Sequence, residues 1–270
     1  MSNTPKIAAI TQCYQEDIML PLWVSHYSKL VGRQNLWVID HGSSPPVTLE
    51  GVNVINSPRS ACDDEEKAHT LSTWHNKLLS NGYDWVISTD TDEFITHNPS
   101  HYETLADYLS HCPSSIRRCV GVEVLDPGDV PPINWEKPIL QQRPCGIITK
   151  WSCKPAVSAL PTSWLPGQHD AMQDSIFDHN LWLFHLKYAD ETHLFQRLAF
   201  TRSLVWSEGS LASGHGSSHR VPDIAMQHHL NRYRSRKAEG NLSTFLASNP
   251  DPKEVDSPLL DIPEVFQSLL

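Results

Sequence analysis

The chain has 270 residues and a formal net charge of −10, with a sequence pI near 5.8. It is long enough to bury a sizeable core as one large domain or two small ones, and its acidic balance argues against a nucleic-acid backbone or an anionic membrane surface as partner. No stretch approaches the roughly 18 apolar residues of a spanning helix and no basic-then-apolar leader opens the chain. Six separated cysteines without a C-x-x-C pair suit reduced thiols. The expectation is a cytoplasmic protein with no integral membrane segment.

Residues 7–11 are apolar and β-compatible. Over 20–30, Leu22, Trp23, Tyr27 and Leu30 recur at helical spacing, with Pro21 tolerable in the first turn. Residues 36–39 read as a second strand, stopped by the turn formers Asp40-His41-Gly42-Ser43-Ser44-Pro45-Pro46, and 52–55 as a third. Asp63 and Asp64 suit a helix N-terminus; Ala68, Leu71, Trp74 and Leu78 then recur every three to four residues until Asn81-Gly82 ends the helix. Residues 85–89 form a fourth strand. Alternating strands and helices over the first 95 residues predict an α/β domain with a parallel sheet. Such sheets bind ligands at the carboxyl ends of their strands, so segments 13–17, 40–44 and 90–93 should share one crevice.

The second half is less regular. A helix is expected near 102–110, a strand near 119–125, and a loop at Asp126-Pro127-Gly128-Asp129-Val130-Pro131-Pro132. Segments 147–151 and 156–159 could pair with each other, 181–186 reads as a buried strand, and 191–202 as an amphipathic helix. Residues 205–220, rich in Ser, Gly and His, read as a mobile loop; 222–237 as a helix carrying Arg232, Arg234, Arg236 and Lys237; the last thirty residues, with four prolines, as a surface tail.

Chemistry concentrates in Trp85-Val86-Ile87-Ser88-Thr89-Asp90-Thr91-Asp92-Glu93-Phe94, an apolar run ending in three carboxylates. On an extended chain Asp90 and Asp92 lie on the same side and repel each other unless a cation or a set of donors sits between them. A hard divalent ion with phosphates completing its shell meets that need; an Asp-rich turn is the plainer alternative.

Three segments together resemble inverting glycosyltransferases of the GT-A fold, family 2 and its family 92-like relatives. They are Thr11-Gln12-Cys13-Tyr14-Gln15-Glu16-Asp17, Leu36-Trp37-Val38-Ile39-Asp40-His41-Gly42-Ser43-Ser44, and the D-x-D-E-F run from Asp84 through Phe94. The family's first loop usually reads Asn-Glu, so Gln15-Glu16 is a departure. The resemblance covers 7–97 well and 145–200 more faintly. It implies a GT-A (Rossmann-like) domain over 1–204, with a mostly parallel sheet flanked by helices, a nucleotide-sugar half at 1–97 and an acceptor half at 98–204. Residues 205–270 would be a C-terminal loop and helical extension on the same domain.

The implied reaction is transfer from a nucleotide-diphosphate sugar, a UDP-sugar, to an acceptor hydroxyl with inversion, using Mn²⁺ or Mg²⁺. The acceptor would be a polysaccharide or other glycan, a lipid-linked glycan or a protein. By the same resemblance, Gln12, Tyr14, Glu16, Asp40, Ser43, Ser44, Asp90, Lys150 and Lys154 serve the donor, with Asp40 facing the base. Asp92 is the direct metal ligand and Asp90 a ribose or water-mediated metal contact. His185, inside the apolar 181–188 run, is a further ligand or else an ordinary core histidine. His169 or Asp170, in Gly167-Gln168-His169-Asp170, supplies the general base, against the plainer reading of a turn histidine.

Two other readings compete. A metal-dependent hydrolase would use His41, His169, His185, His215 and His219, although no H-E-x-x-H or H-x-H pair is present. A non-catalytic nucleotide-sugar or carbohydrate-binding protein would keep the donor site and lack the base. No G-x-G-x-x-G or Walker A loop supports a dinucleotide or P-loop enzyme.

Overall fold

The structure is a computed structural model that describes residues 4–236, 238–249 and 257–270. Its first half runs β1 (Ile7–Cys13), α1 (Met19–Val31), β2 (Leu36–Asp40), β3 (Asn53–Asn56), α2 (Asp64–Ser80), β4 (Trp85–Ser88) and β5 (Glu93–His97). There follow α3 (Leu105–Ser110), β6 (Ile116–Val124), α4 (Ile139–Gln142), β7 (Cys145–Ile148), β8 (Val157–Ser158), β9 (Ile176–His185) and α5 (Glu191–Ser203). The chain ends with α6 (Glu208–Ser213), α7 (Asp223–Arg234), β10 (Ala238–Asn241), α8 (Leu242–Ser248), β11 (Leu259–Asp261) and α9 (Glu264–Gln267).

This is the expected α/β architecture, a central sheet flanked by helices, with strand order β10-β11-β7-β6-β8-β4-β1-β2-β3. The β4-β1-β2-β3 portion is parallel, so Cys13, Asp40 and Ser88 end on one edge, as the alternation of strands and helices requires. Beyond β4 the pairing is mixed. Segments 147–151 and 156–159 do not pair with each other: β7 and β8 each lie antiparallel to β6. Strand β5 lies antiparallel to β9, and β9 parallel to β6. That ladder brings Glu93 opposite His185, and His185 opposite Glu123.

Burial explains why the helices sit where they do. Leu20, Trp23, Val24 and Tyr27 form one buried face of α1, while Asp63 caps α2 by accepting from the N–H groups of Glu65 (2.9 Å) and Glu66 (3.0 Å). Helix α1 also ties down the loop after β4. The Trp23 indole N–H donates to Thr89 Oγ1 (2.9 Å), and the Tyr27 hydroxyl donates to Glu93 O (3.0 Å) while accepting from Ile95 N (2.9 Å). Gly121 on β6 permits another close approach, since a Cβ there would fall 1.9 Å from Ser152 O. The 149–153 turn thus lies flat on β6.

Residues 205–220 are ordered by specific contacts rather than forming the expected loose loop. Cys62 N donates to Val205 O (2.7 Å), Ser207 N to Cys62 O (3.0 Å), and Ser207 Oγ to Asp63 Oδ2 (2.6 Å). In the last thirty residues, β11 pairs with β7 and Phe266 is fully buried against Trp182 and Phe184, so the segment adds to the sheet and core. Lys237 of the expected 222–237 helix lies outside the described residues.

Candidate functional site

The carboxyl edge of the parallel strands carries a dense network of charges. Asp90 Oδ1 lies 2.6 Å from Lys67 Nζ, and Oδ2 lies 3.2 Å from Lys154 Nζ. The same Lys154 ammonium is 2.6 Å from Glu93 Oε1, and the other Glu93 oxygen accepts from Asp90 N (3.1 Å). His185 bridges two acids, with Nε2 3.3 Å from Asp92 Oδ2 and Nδ1 2.9 Å from Glu123 Oε2. The mutual repulsion anticipated for the D-x-D carboxylates is therefore relieved by ammonium and imidazolium groups of the chain itself.

These contacts govern protonation. Burial alone would raise Asp90, but Lys67 and Lys154 hold it well below the usual carboxylate range. For Asp92 burial is likewise outweighed, here by His185. Burial would lower His185; Glu123 and Asp92 instead push it well above the ordinary histidine value. It thus sits as a proton-bearing bridge between two acids. Burial lifts Glu93 despite Lys154. Burial also lowers Lys187, which lies close enough to Glu123, Asp92 and Asp90 to feel their opposing charges.

The donor-side residues gather beside this cluster. Gln12 donates to Lys67 O (2.7 Å). Glu16 accepts from Met19 N (3.2 Å) and pairs with Arg197 Nη2 at 2.9 Å; Arg197 also donates to the carbonyls of Gln15 (2.9 Å) and Tyr14 (3.3 Å). The Tyr14 ring is sandwiched between the Arg59 guanidinium, 3.9 Å from its centroid, and Phe200. Ser43 Oγ accepts from Gln15 N (3.0 Å), and Ser44 O from the Gln15 carboxamide (3.1 Å). Asp40, expected to face the base, closes its own turn. It is buried, and its oxygens accept from Ser43 N (2.9 Å) and Val47 N (2.9 Å), so it builds the turn. Burial would raise its pKa, yet those hydrogen bonds leave it lowered.

On the opposite side, His169 Nδ1 lies 2.7 Å from Trp151 O. A carbonyl only accepts, so Nδ1 carries the proton and Nε2 keeps a lone pair. Burial, then Lys154, push the imidazole pKa down to about 4, which leaves it neutral at pH 7. The charges of Asp90 and His185 also act on it, so His169 lies within electrostatic reach of the cluster. Asp170 instead pairs with the buried Arg118, whose guanidinium also donates to Cys153 O (2.6 Å), His169 O (3.1 Å) and Ser175 Oγ (3.0 Å). One buried cation thereby fixes both the His169 loop and the strand end leading to Lys154.

Lys150 stays outside. It is exposed, its ammonium 4.6 Å from the Trp151 centroid. Of the histidines a hydrolase would need, His169 and His185 face the cluster. His219, stacked on Trp206, stands at its rim within reach of the charges of Lys187, Lys67, Asp90 and Asp92. His41 is held by Arg59 and Ser60, and His215 beside Glu65.

Among the described residues no three His, Cys, Asp or Glu side chains are arranged to enclose a metal ion. Both oxygens of Asp90 carry lysines, whereas Asp92 engages His185 through one oxygen and its side chain is 28% exposed. That set fits a hard divalent ion only in the form Mg²⁺ commonly takes beside phosphates: one protein carboxylate, the remaining ligands coming from substrate and water. No helix among the described residues is long and apolar enough to cross a membrane.

No protein-family model matches the chain, and no curated protein matches it. Among solved structures it is similar to the mannosyltransferase PcManGT from Pyrobaculum calidifontis in complex with GDP-Man and Mn²⁺. The identity is 18% over 47% of this chain and 37% of that one, with a TM-score of 0.27. The match thus spans little more than a third of the mannosyltransferase.

Proposed function

We propose that the chain is a GT-A-type, metal-dependent glycosyltransferase that moves a sugar from a nucleotide-diphosphate sugar, a UDP-sugar, to an acceptor hydroxyl with inversion. The observation that carries this reading is His169: a neutral imidazole with its Nε2 lone pair unprotonated, tied to Trp151 O within electrostatic reach of the Asp90-Asp92 cluster at the carboxyl edge of a parallel sheet. A binding module has no need of a base poised in this way.

Asp92 would hold the Mn²⁺ or Mg²⁺, with His185 orienting its carboxylate from the side. A bound ion supplies Lewis-acid neutralisation of the diphosphate leaving group. The Tyr14 to Glu16 loop and the Asp40 turn bind the nucleoside; Lys67 and Lys154 keep Asp90 ionised and fixed. His169 Nε2 takes the acceptor hydroxyl proton while the oxygen attacks the anomeric carbon opposite the diphosphate. Its lowered pKa puts it near the carboxylate range, so it accepts the proton as the oxygen becomes acidic in the transition state.

The test is a thermal-shift screen of UDP, GDP and their sugars with and without Mn²⁺, followed by transfer assays on the donor found. One nucleotide should stabilise the protein in a Mn²⁺-dependent manner, and Asp92→Asn should remove that dependence. If no nucleotide shifts the transition under either condition, the transferase reading falls. Donor binding without transfer to any acceptor would favour the binding-protein alternative.

A further inference from the structure

Trp151 is a large aromatic left 56% exposed at the edge of the site. Its carbonyl fixes the His169 tautomer, and the two rings meet edge to face, centroids 5.2 Å apart at 71°. The neighbouring segment 163–172 folds back on itself. Leu165 N donates to Asp170 O (3.0 Å), Met172 N to Ser163 O (2.9 Å), and Trp164 bridges Ala171. Trp164 is buried and packs edge-on against His75 of α2, so the alternate positions Leu165, Asp170 and Met172 are left exposed. Two apolar side chains therefore flank the Asp170 carboxylate, next to His169 and the indole.

We infer that this surface recognises a saccharide acceptor, with a pyranose ring seated on Trp151 and its reacting hydroxyl directed at His169 Nε2; the inference rests on the transferase reading above. Pyranoses present an apolar C–H face and a rim of hydroxyls, which an indole beside a carboxylate and a neutral imidazole complements. Asp170 has one oxygen toward Arg118 and Ala171 N, leaving the other for a hydroxyl. An acyl chain laid across the same surface would desolvate the outward oxygen of that carboxylate and offer it no hydrogen-bond donor. A second copy of this chain is a poor fit on area: the three apolar side chains expose on the order of 400 Å², against roughly 800 Å² per partner in a stable dimer. Lys150, resting on the indole, is an exposed side chain that an arriving ring can displace.

The experiment uses the full chain labelled with 5-fluorotryptophan. Methyl pyranosides of glucose, galactose, mannose, N-acetylglucosamine and rhamnose are titrated in the presence of saturating UDP or GDP and Mn²⁺, with ¹⁹F NMR as readout. The resonance lost in Trp151→Phe should be the one that shifts. Trp151→Ala should weaken glycoside binding at least about tenfold, with Trp151→Phe within about threefold and nucleotide binding unchanged in both. Nucleotide binding with no response of the Trp151 resonance to any glycoside overturns the acceptor assignment alone. Sedimentation showing a dimer that Trp151→Ala dissolves would also overturn it. Absence of nucleotide binding by the parent chain would instead bring down the transferase reading beneath it.

Discussion

Replacing Lys154 by methionine removes the only ammonium among the described residues in contact with Glu93, whose side chain has no solvent exposure. At 2.6 Å the Coulomb attraction is roughly 6 kcal/mol at an effective dielectric constant of about 20, and desolvation of both ions offsets much of it. The loss has a ceiling, because the stranded carboxyl can take up a proton. From a reference pKa of about 4.3, protonation at pH 7 costs about 3.7 kcal/mol; burial already lifts Glu93 in the parent despite Lys154, so part of that cost is present there and the difference is smaller. Asp90 adds little, since Lys67 still holds its other oxygen. Lys154→Met should therefore lower the unfolding free energy by about 1–3 kcal/mol at pH 7, measured by urea denaturation. Without Lys154 the folded-state pKa of Glu93 rises further above its unfolded value, so the variant takes up more proton on folding than the parent does. The deficit relative to the parent then shrinks as pH falls below 7. Glu93→Gln in the same background should recover about 2 kcal/mol. A deficit that ignores pH, and that adds to the Glu93→Gln effect without coupling, would refute the buried-pair account.

His169→Asn keeps a donor for Trp151 O but removes the lone pair, and should lower kcat about 10²-fold or more with nucleotide affinity within about twofold; unchanged kcat would move the base elsewhere. Gly167→Ala places a methyl 3.0 Å from His169 Cδ2 at a backbone φ of +77°, so kcat should fall at least about tenfold with only a modest loss of Tm, a split that thermal melts and kinetics together would expose. His26 and His75 are buried, and burial holds each at about pKa 4. Because the folded pKa lies below the unfolded value, stability is full above about pH 6.5 and declines as pH falls toward 4. Each should contribute a loss of about 2.5 kcal/mol by pH 4.5, and His75→Gln should flatten its share of the urea-midpoint profile. An identical slope in that variant would argue against the assignment.

The first half of the fold was legible because α1 and α2 have a helical period that their buried faces follow, and β1, β2 and β4 are short apolar runs closed by polar or turn-forming residues. Strand β5 was not: Glu93 to His97 directly follows the acidic run with no turn former between them, so its start merges with the site loop. The C-terminal strands β10 and β11 are three or four residues long and depend on a neighbouring edge rather than on their own pattern. Within the site, Asp90, Asp92, Glu93, Lys154 and His185 were marked by charge in or beside apolar or extended segments, and His169 by the family resemblance alone; the structure brings them into one region. Lys67 was overlooked in the charged stretch Asp64-Glu65-Glu66-Lys67. Its spacing four residues before the buried Leu71, and eight before His75, would have placed it on the inward face of α2. Glu123, a charge between two valines at the carboxyl end of β6, gave the same kind of signal. The turn-closing hydrogen bonds of Asp40 were not legible, because an aspartate that closes its own turn looks, in sequence, like one that awaits a ligand.

The carboxylate cluster also has a consequence for how quickly an anionic substrate arrives. Its acids are matched by lysines and an imidazolium close by, so the pocket is near neutral while the molecule as a whole carries −10. The nucleotide-diphosphate donor proposed above would therefore diffuse toward a repelling surface and gain its favourable contacts only on arrival. Salt shrinks that outer barrier within a Debye length of about 10 Å at 0.1 M, whereas the buried pairs inside are screened far less. Moderate ionic strength should accordingly speed nucleotide association, the opposite of the usual behaviour for a site that draws phosphates in from a distance.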